Sequence, residues 1–202
     1  MEKKHHILND YKPTVDEVEK YLARWDSLDN YVNQEHALDK LFGELCPYNT
    51  DINDVLIKCS TLNDFYSTNI FDVHSVALHI WKLNIDERLV QGDKSLVHKI
   101  AHVEVGNPKK LRFFYSFATK YCSHHQPEMY AIYDNYVEKL LMAFKKRGDN
   151  FSEFRLNELK NYERYMGVIQ DFQNHYGLTQ FNVKQLDKYL WQLGKEFFSP
   201  FK

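Results

Sequence analysis

Apolar residues recur at the three-and-four spacing of an amphipathic helix along most of the chain, and the breaks between such stretches are short. Thr14-Val15-Asp16-Glu17 reads as a capping box, in which a hydroxyl and a carboxylate satisfy free backbone N–H groups, and Val18, Leu22 and Trp25 continue it at helical spacing. Further periodic segments predict helices over about Gln34 to Leu45, Ile52 to Phe65, Val73 to Leu83, Lys94 to Val103, Leu111 to His125 and Asn135 to Lys146. A long helix is predicted from about Phe154 to Tyr176, closed by Gly177, and a last one from Asn182 to Phe197. Pro47, the Asn69–Asp72 turn, Gly92-Asp93, Gly106-Asn107-Pro108, Pro127 and Gly148-Asp149-Asn150 supply the breaks. Val/Ile/Thr-rich alternation is missing, so strands find little support, and the pattern predicts an all-α fold in a single helical domain over residues 1–202.

Composition agrees with a packed core: 44% of the 202 residues are apolar and 15% aromatic, which excludes a disordered chain. No apolar run reaches membrane-spanning length, and Met1-Glu2-Lys3-Lys4-His5-His6 lacks the apolar stretch of a signal peptide. The expectation is a cytoplasmic protein with no membrane partner. Cys46, Cys59 and Cys122 are odd in number and widely spaced, which fits buried thiols better than a disulfide framework or a metal cluster. Charge is distributed unevenly. Lys94 to Arg147 carries ten basic and four acidic residues, net +6, and the remainder is net −8, so a polyanion is expected to meet the middle of the chain.

The segment Ser116 to Val137 is the strongest candidate for chemistry. It reads as a helix, a loop containing Pro127, and an Asp placed to start the next helix. Phe113, Ser116, Phe117, Lys120 and His124 share one helical face, displaying a cation and a hydroxyl beside aromatic surface. Asp134, ahead of Asn135-Tyr136-Val137-Glu138, is a favoured N-cap. Capping alone accounts for it, and the same environment holds a carboxylate ionised and rigid beside a developing positive charge.

This segment resembles the catalytic element of the helix-hairpin-helix superfamily of DNA glycosylases. In that family a helix opens with Lys or Ser, a residue and Ala, and the chain then reaches a Pro-x-x-Asp-x-x-Val-like loop whose Asp is catalytic. Ser116-x-Ala118 and Ala131-Ile132-Tyr133-Asp134-Asn135-Tyr136-Val137 follow the pattern, with Ser116 and Asp134 standing 18 positions apart. The resemblance implies a helical glycosylase fold, double-stranded DNA as partner, no cofactor or metal, and hydrolysis of the N-glycosidic bond of a flipped base. It matches Asp134 to the catalytic carboxylate and Ser116 to the place where bifunctional members carry their Schiff-base Lys. Lys120, one turn further along, is a separate candidate nucleophile. Tyr115, Tyr121, Tyr133, Phe117, His124 and Asn135 then become candidates for the base pocket, and Lys109, Lys110 and Arg112 for phosphate contacts. Phe113-Phe114-Tyr115 stands where family members have a Gly-rich phosphate-binding hairpin, and Ala131 where they have Pro.

Two other readings arise. A non-catalytic nucleic-acid-binding or protein-interaction helical domain on the same scaffold fits the missing glycines, and the last helix, with Leu186-Asp187-Lys188-Tyr189-Leu190-Trp191, offers an aromatic and charged face. A metal-dependent hydrolase is suggested by His98 and His102 at i, i+4, with His74, His79, His124 and His125 elsewhere, but the Glu that accompanies such a pair in zinc proteases is missing.

Overall fold

The computed structural model describes residues 10–200, so the reading of Met1–His6 lies outside the described residues. The chain is mostly helical and forms two compact units, one spanning Asp29–Ile132 and the other taking the described residues up to Leu28 and from Tyr133 onward.

The 29–132 unit begins with α2 (Asp29–Lys40), whose last turn runs on as a π-helical turn over Leu41–Leu45. Asp51 caps α3 (Ile52–Tyr66), accepting from the Asn53 N–H, and Ser67 closes it in the left-handed conformation at φ 48°. Then come α4 (Val73–Lys82), the short α5 (Asp86–Val90), α6 (Ser95–Ala101) and, after a hairpin, α7 (Tyr115–His125). Helix α3 packs against α4 and α7, and α6 lies against α7. Val55, Cys59 and Leu62 of α3 and Val76, Ala77 and Ile80 of α4 are all sealed from solvent, each large apolar side chain contributing roughly 1.5–3 kcal/mol.

The other unit contains α1 (Val15–Trp25), α8 (Asn135–Lys146), α9 (Tyr162–His175) and α10 (Val183–Phe198), with α10 packed on both α1 and α8. Only half of the expected box at α1 forms. The Thr14 hydroxyl accepts from the Glu17 N–H at 3.3 Å, while the Glu17 carboxylate takes Lys20 Nζ at 3.2 Å and the Tyr11 hydroxyl at 3.0 Å. A complete box forms at α10, where Asn182 and Gln185 exchange side-chain and backbone bonds at 2.9 Å each.

Two sequence expectations change. The predicted helix over Phe154–Tyr176 is interrupted: Leu156–Lys160 winds as a 3₁₀ turn, and Asn161 restarts the chain by capping α9 with its side chain on the Arg164 N–H. More consequential is a two-stranded antiparallel hairpin, β1 (His102–Val105) and β2 (Lys110–Phe113), with His102 opposite Phe113 and Val105 opposite Lys110. Helix α6 therefore stops at Ala101, and Leu111–Phe113 is strand instead of the start of α7. Tertiary placement overrides local propensity here, because β1 lies along α4 and seals Val103 in the core.

Candidate functional site

The Ser116–Val137 segment crosses from one unit to the other after Ile132. In the 29–132 unit, Lys120 is only 4% exposed; its ammonium donates to Ser116 Oγ at 2.6 Å and stands 5.1 Å over the Tyr66 ring. His124 shares a hydrogen bond of 2.9 Å with the Tyr66 hydroxyl. Tyr115 and Tyr121 are core residues, and burial pushes both phenols upward. In the other unit, Asp134 caps α8 as expected, accepting the Tyr136 N–H at 2.7 Å, and Asn135 is exposed as the first residue of that helix. Tyr133 is buried edge-on against Tyr165 at 5.5 Å, with its hydroxyl donating to Glu138 and the Lys160 ammonium 4.1 Å over its ring.

A second cluster, unread in the sequence, sits behind α7. Lys58 occupies an apolar position of α3 and is fully buried. Its ammonium donates to the Cys46 carbonyl at 3.0 Å, the Tyr48 carbonyl at 2.8 Å and Asn49 Oδ1 at 2.8 Å, and it approaches His125 Nε2 at 3.3 Å. Asn49 is the hub. Its Oδ1 also accepts from the Tyr121 hydroxyl at 2.5 Å, while its amide donates to Asp86 Oδ1 at 2.5 Å and faces His125 Nε2 at 3.3 Å. The Asn49 backbone N–H adds a bond to Asp86 Oδ2 at 2.9 Å. Both lone pairs and both amide hydrogens of Asn49 are thus engaged. Desolvation lowers the Lys58 ammonium to about 8, opposed in part by Asp86, and burial with the Lys58 charge holds the His125 imidazole well below its ordinary value. A Lys at the i+3 position of the stripe Val55, Cys59, Leu62 is the sequence signal that marks this cluster.

The hairpin presents two chemically different faces, since successive strand residues point opposite ways. Lys110 and Arg112 open onto a groove of about 580 Å³ shared with Asn69, Phe71, Asp72 and Phe114. Phe71 is 99% exposed at its rim. Asp72 also borders the groove, but its carboxylate is occupied: one oxygen accepts from the Ser75 N–H at 3.1 Å, capping α4, and the other from the Gly106 N–H at 2.9 Å in the hairpin turn. Those bonds, Gly106 foremost, hold it below the usual carboxylate range. Lys109 stands 3.8 Å from Glu104, both largely exposed, a pairing of little energetic weight. On the other face, Phe113 stacks with Tyr115 at 5.4 Å and His98 at 5.7 Å and meets a tilted His102 ring at 4.5 Å.

His79, His98 and His102 of the metal-hydrolase reading take up other partners. His98 and His102 rings stack at 6.0 Å, His102 Nδ1 bonds the His98 carbonyl at 2.8 Å, and His79 Nε2 bonds the Lys99 carbonyl at 2.7 Å. Among the described residues no group of three or more His, Cys, Asp or Glu is placed to hold a metal ion, and no helix is long and apolar enough to cross a membrane.

Residues 17–129 match the model of the HI_0787_N family, described as an N-terminal domain, which covers more than half of the chain. The chain belongs to this family. A protein of Haemophilus influenzae carrying the name "Uncharacterized protein" is 45% identical over 176 residues, 87% of this chain and 79% of that relative. No solved structure matches the chain. The stretch matching the HI_0787_N family includes the hairpin, the Lys58 cluster and all of α7, and it ends before Tyr133, Asp134 and Asn135.

Proposed function

We propose that this chain binds nucleic acid through the β1–β2 hairpin. The observation that carries the reading is the groove in which Lys110 and Arg112 stand on one strand face beside Phe71. Two cations set two residues apart along an extended strand are separated by about 7 Å, and they meet a backbone of repeating negative charge without relying on glycines. Within the 29–132 unit, residues 94–132 carry six basic and two acidic residues, net +4, and add a wider favourable field. Asp72 is the opposing charge in the groove, and its two oxygens are held by the Ser75 and Gly106 N–H groups.

Fluorescence anisotropy of the full chain with labelled oligonucleotides tests this. Binding is expected to weaken steeply between 50 and 200 mM salt, and Lys110→Ala and Arg112→Ala to weaken it across sequences, each reducing the salt slope by roughly 0.7–0.9. Affinity unchanged in the Lys110→Ala, Arg112→Ala double variant sinks the reading.

A second reading, base release of the DNA-glycosylase type, is supported by Asp134, whose carboxylate is pinned at the start of α8 by the Tyr136 N–H. In this reading Asp134 stabilises the oxocarbenium-like sugar, and Lys120 is tested separately as an amine nucleophile. A panel of duplexes carrying uracil, oxidised purines and alkylated bases is the test. Release abolished by Asp134→Asn supports it; no release from any duplex removes it and leaves the binding proposal standing. Borohydride trapping lost in Lys120→Ala identifies an amine nucleophile.

A further inference from the structure

We infer that the hairpin's partner is a single-stranded nucleic acid, held with its phosphates on Lys110 and Arg112 and a base stacked on Phe113. The inference rests on the binding proposal above and narrows it. A duplex hides its base faces in its own stack, so a protein that meets only duplex needs cations and no exposed ring. This hairpin has both. Phe113 is 42% exposed, its neighbour Leu111 66% exposed, and both lie on the strand face opposite Arg112 and Lys110. The Phe113 ring is braced by three other rings: His98 and Tyr115 near parallel at 21° and 22°, and His102 tilted at 36°. A braced ring loses little rotamer freedom on binding, which favours stacking of a planar base over a contact with a flexible apolar chain. Among the described residues β2 pairs with β1 alone, and its other edge is where a strand laid along it reaches cations on one side and the ring on the other.

An acidic peptide is the competing occupant of a basic surface, but it has no planar group to place on Phe113. The full chain is titrated with a labelled 20-nucleotide thymidylate strand, a duplex of the same length, and labelled poly-glutamate. The expected result is single strand bound at least tenfold more tightly than duplex. Phe113→Leu, which keeps an apolar side chain in the ring pile, should weaken the single strand fivefold or more and leave the duplex unchanged, while Phe113→Tyr retains wild-type affinity. Lys110→Ala should weaken both. Equal affinity for strand and duplex with no effect of Phe113→Leu overturns the single-strand inference and keeps the binding proposal. Binding of poly-glutamate alone, or of none of the three, overturns both.

Discussion

Lys58 is charged and sealed in a helical core, and the fold tolerates it because three oxygen acceptors converge on its ammonium. Lys58→Met strands those oxygens, and a loss of about 3–5 kcal/mol in chemical denaturation is expected. The group also leaves a pH signature. Its folded value of about 8 lies below its ordinary 10.5, so between those limits the unfolded chain binds more protons than the folded one. Stability from this group is therefore full above the ordinary value and is lost as pH falls through about 8. Raising the pH from 7 to 9.5 should stabilise wild type relative to Lys58→Met, and parallel curves would rule out the assignment. His125, held low by burial and by Lys58, acts at the acid end: its contribution is present above its ordinary value of 6.5 and lost below it. A His125→Gln variant should accordingly lose less stability than wild type on moving from pH 7 to pH 5.

At the scale of elements, α10 and α8 approach so closely that a Cβ built on Gly194 would stand 2.6 Å from the Tyr136 carbonyl oxygen. That obstacle is backbone, so Gly194→Ala must push the helices apart, at an expected cost of about 1–3 kcal/mol. Gly167, in α9, meets only Arg164 at ordinary contact distance, and Gly167→Ala should stabilise by about 0.5–1 kcal/mol. Thermal unfolding of the two variants side by side separates close approach from helix propensity. The helices themselves were legible because apolar spacing and caps such as Thr14 and Asp134 are local signals. The hairpin was not, because its four-residue strands contain no alternation long enough to stand out, and Val103 becomes core only through its packing partner α4. The candidate site divides the same way. Asp134 as a cap and Lys109, Lys110 and Arg112 as an exposed basic cluster could be read from the chain. The Asn49–Lys58–Asp86–His125 network joins four separate segments, and no spacing rule connects them.

Taken as a whole, the molecule is near neutral, at net −2, so any attraction for a polyanion must come from how charge is placed. The hairpin brings exposed cations and an exposed ring together, and Asp72 anchors it. One carboxylate caps α4 and also grips the Gly106 N–H, so a helix start and a strand turn share a single anchor. A surface fixed in this way has its ordering cost met during folding instead of at encounter. Calorimetry should therefore find a small conformational entropy penalty for wild type, and a larger one in Asp72→Ala with the cations untouched. An affinity loss in that variant that is wholly enthalpic would show that the anchor does not govern the hairpin's freedom.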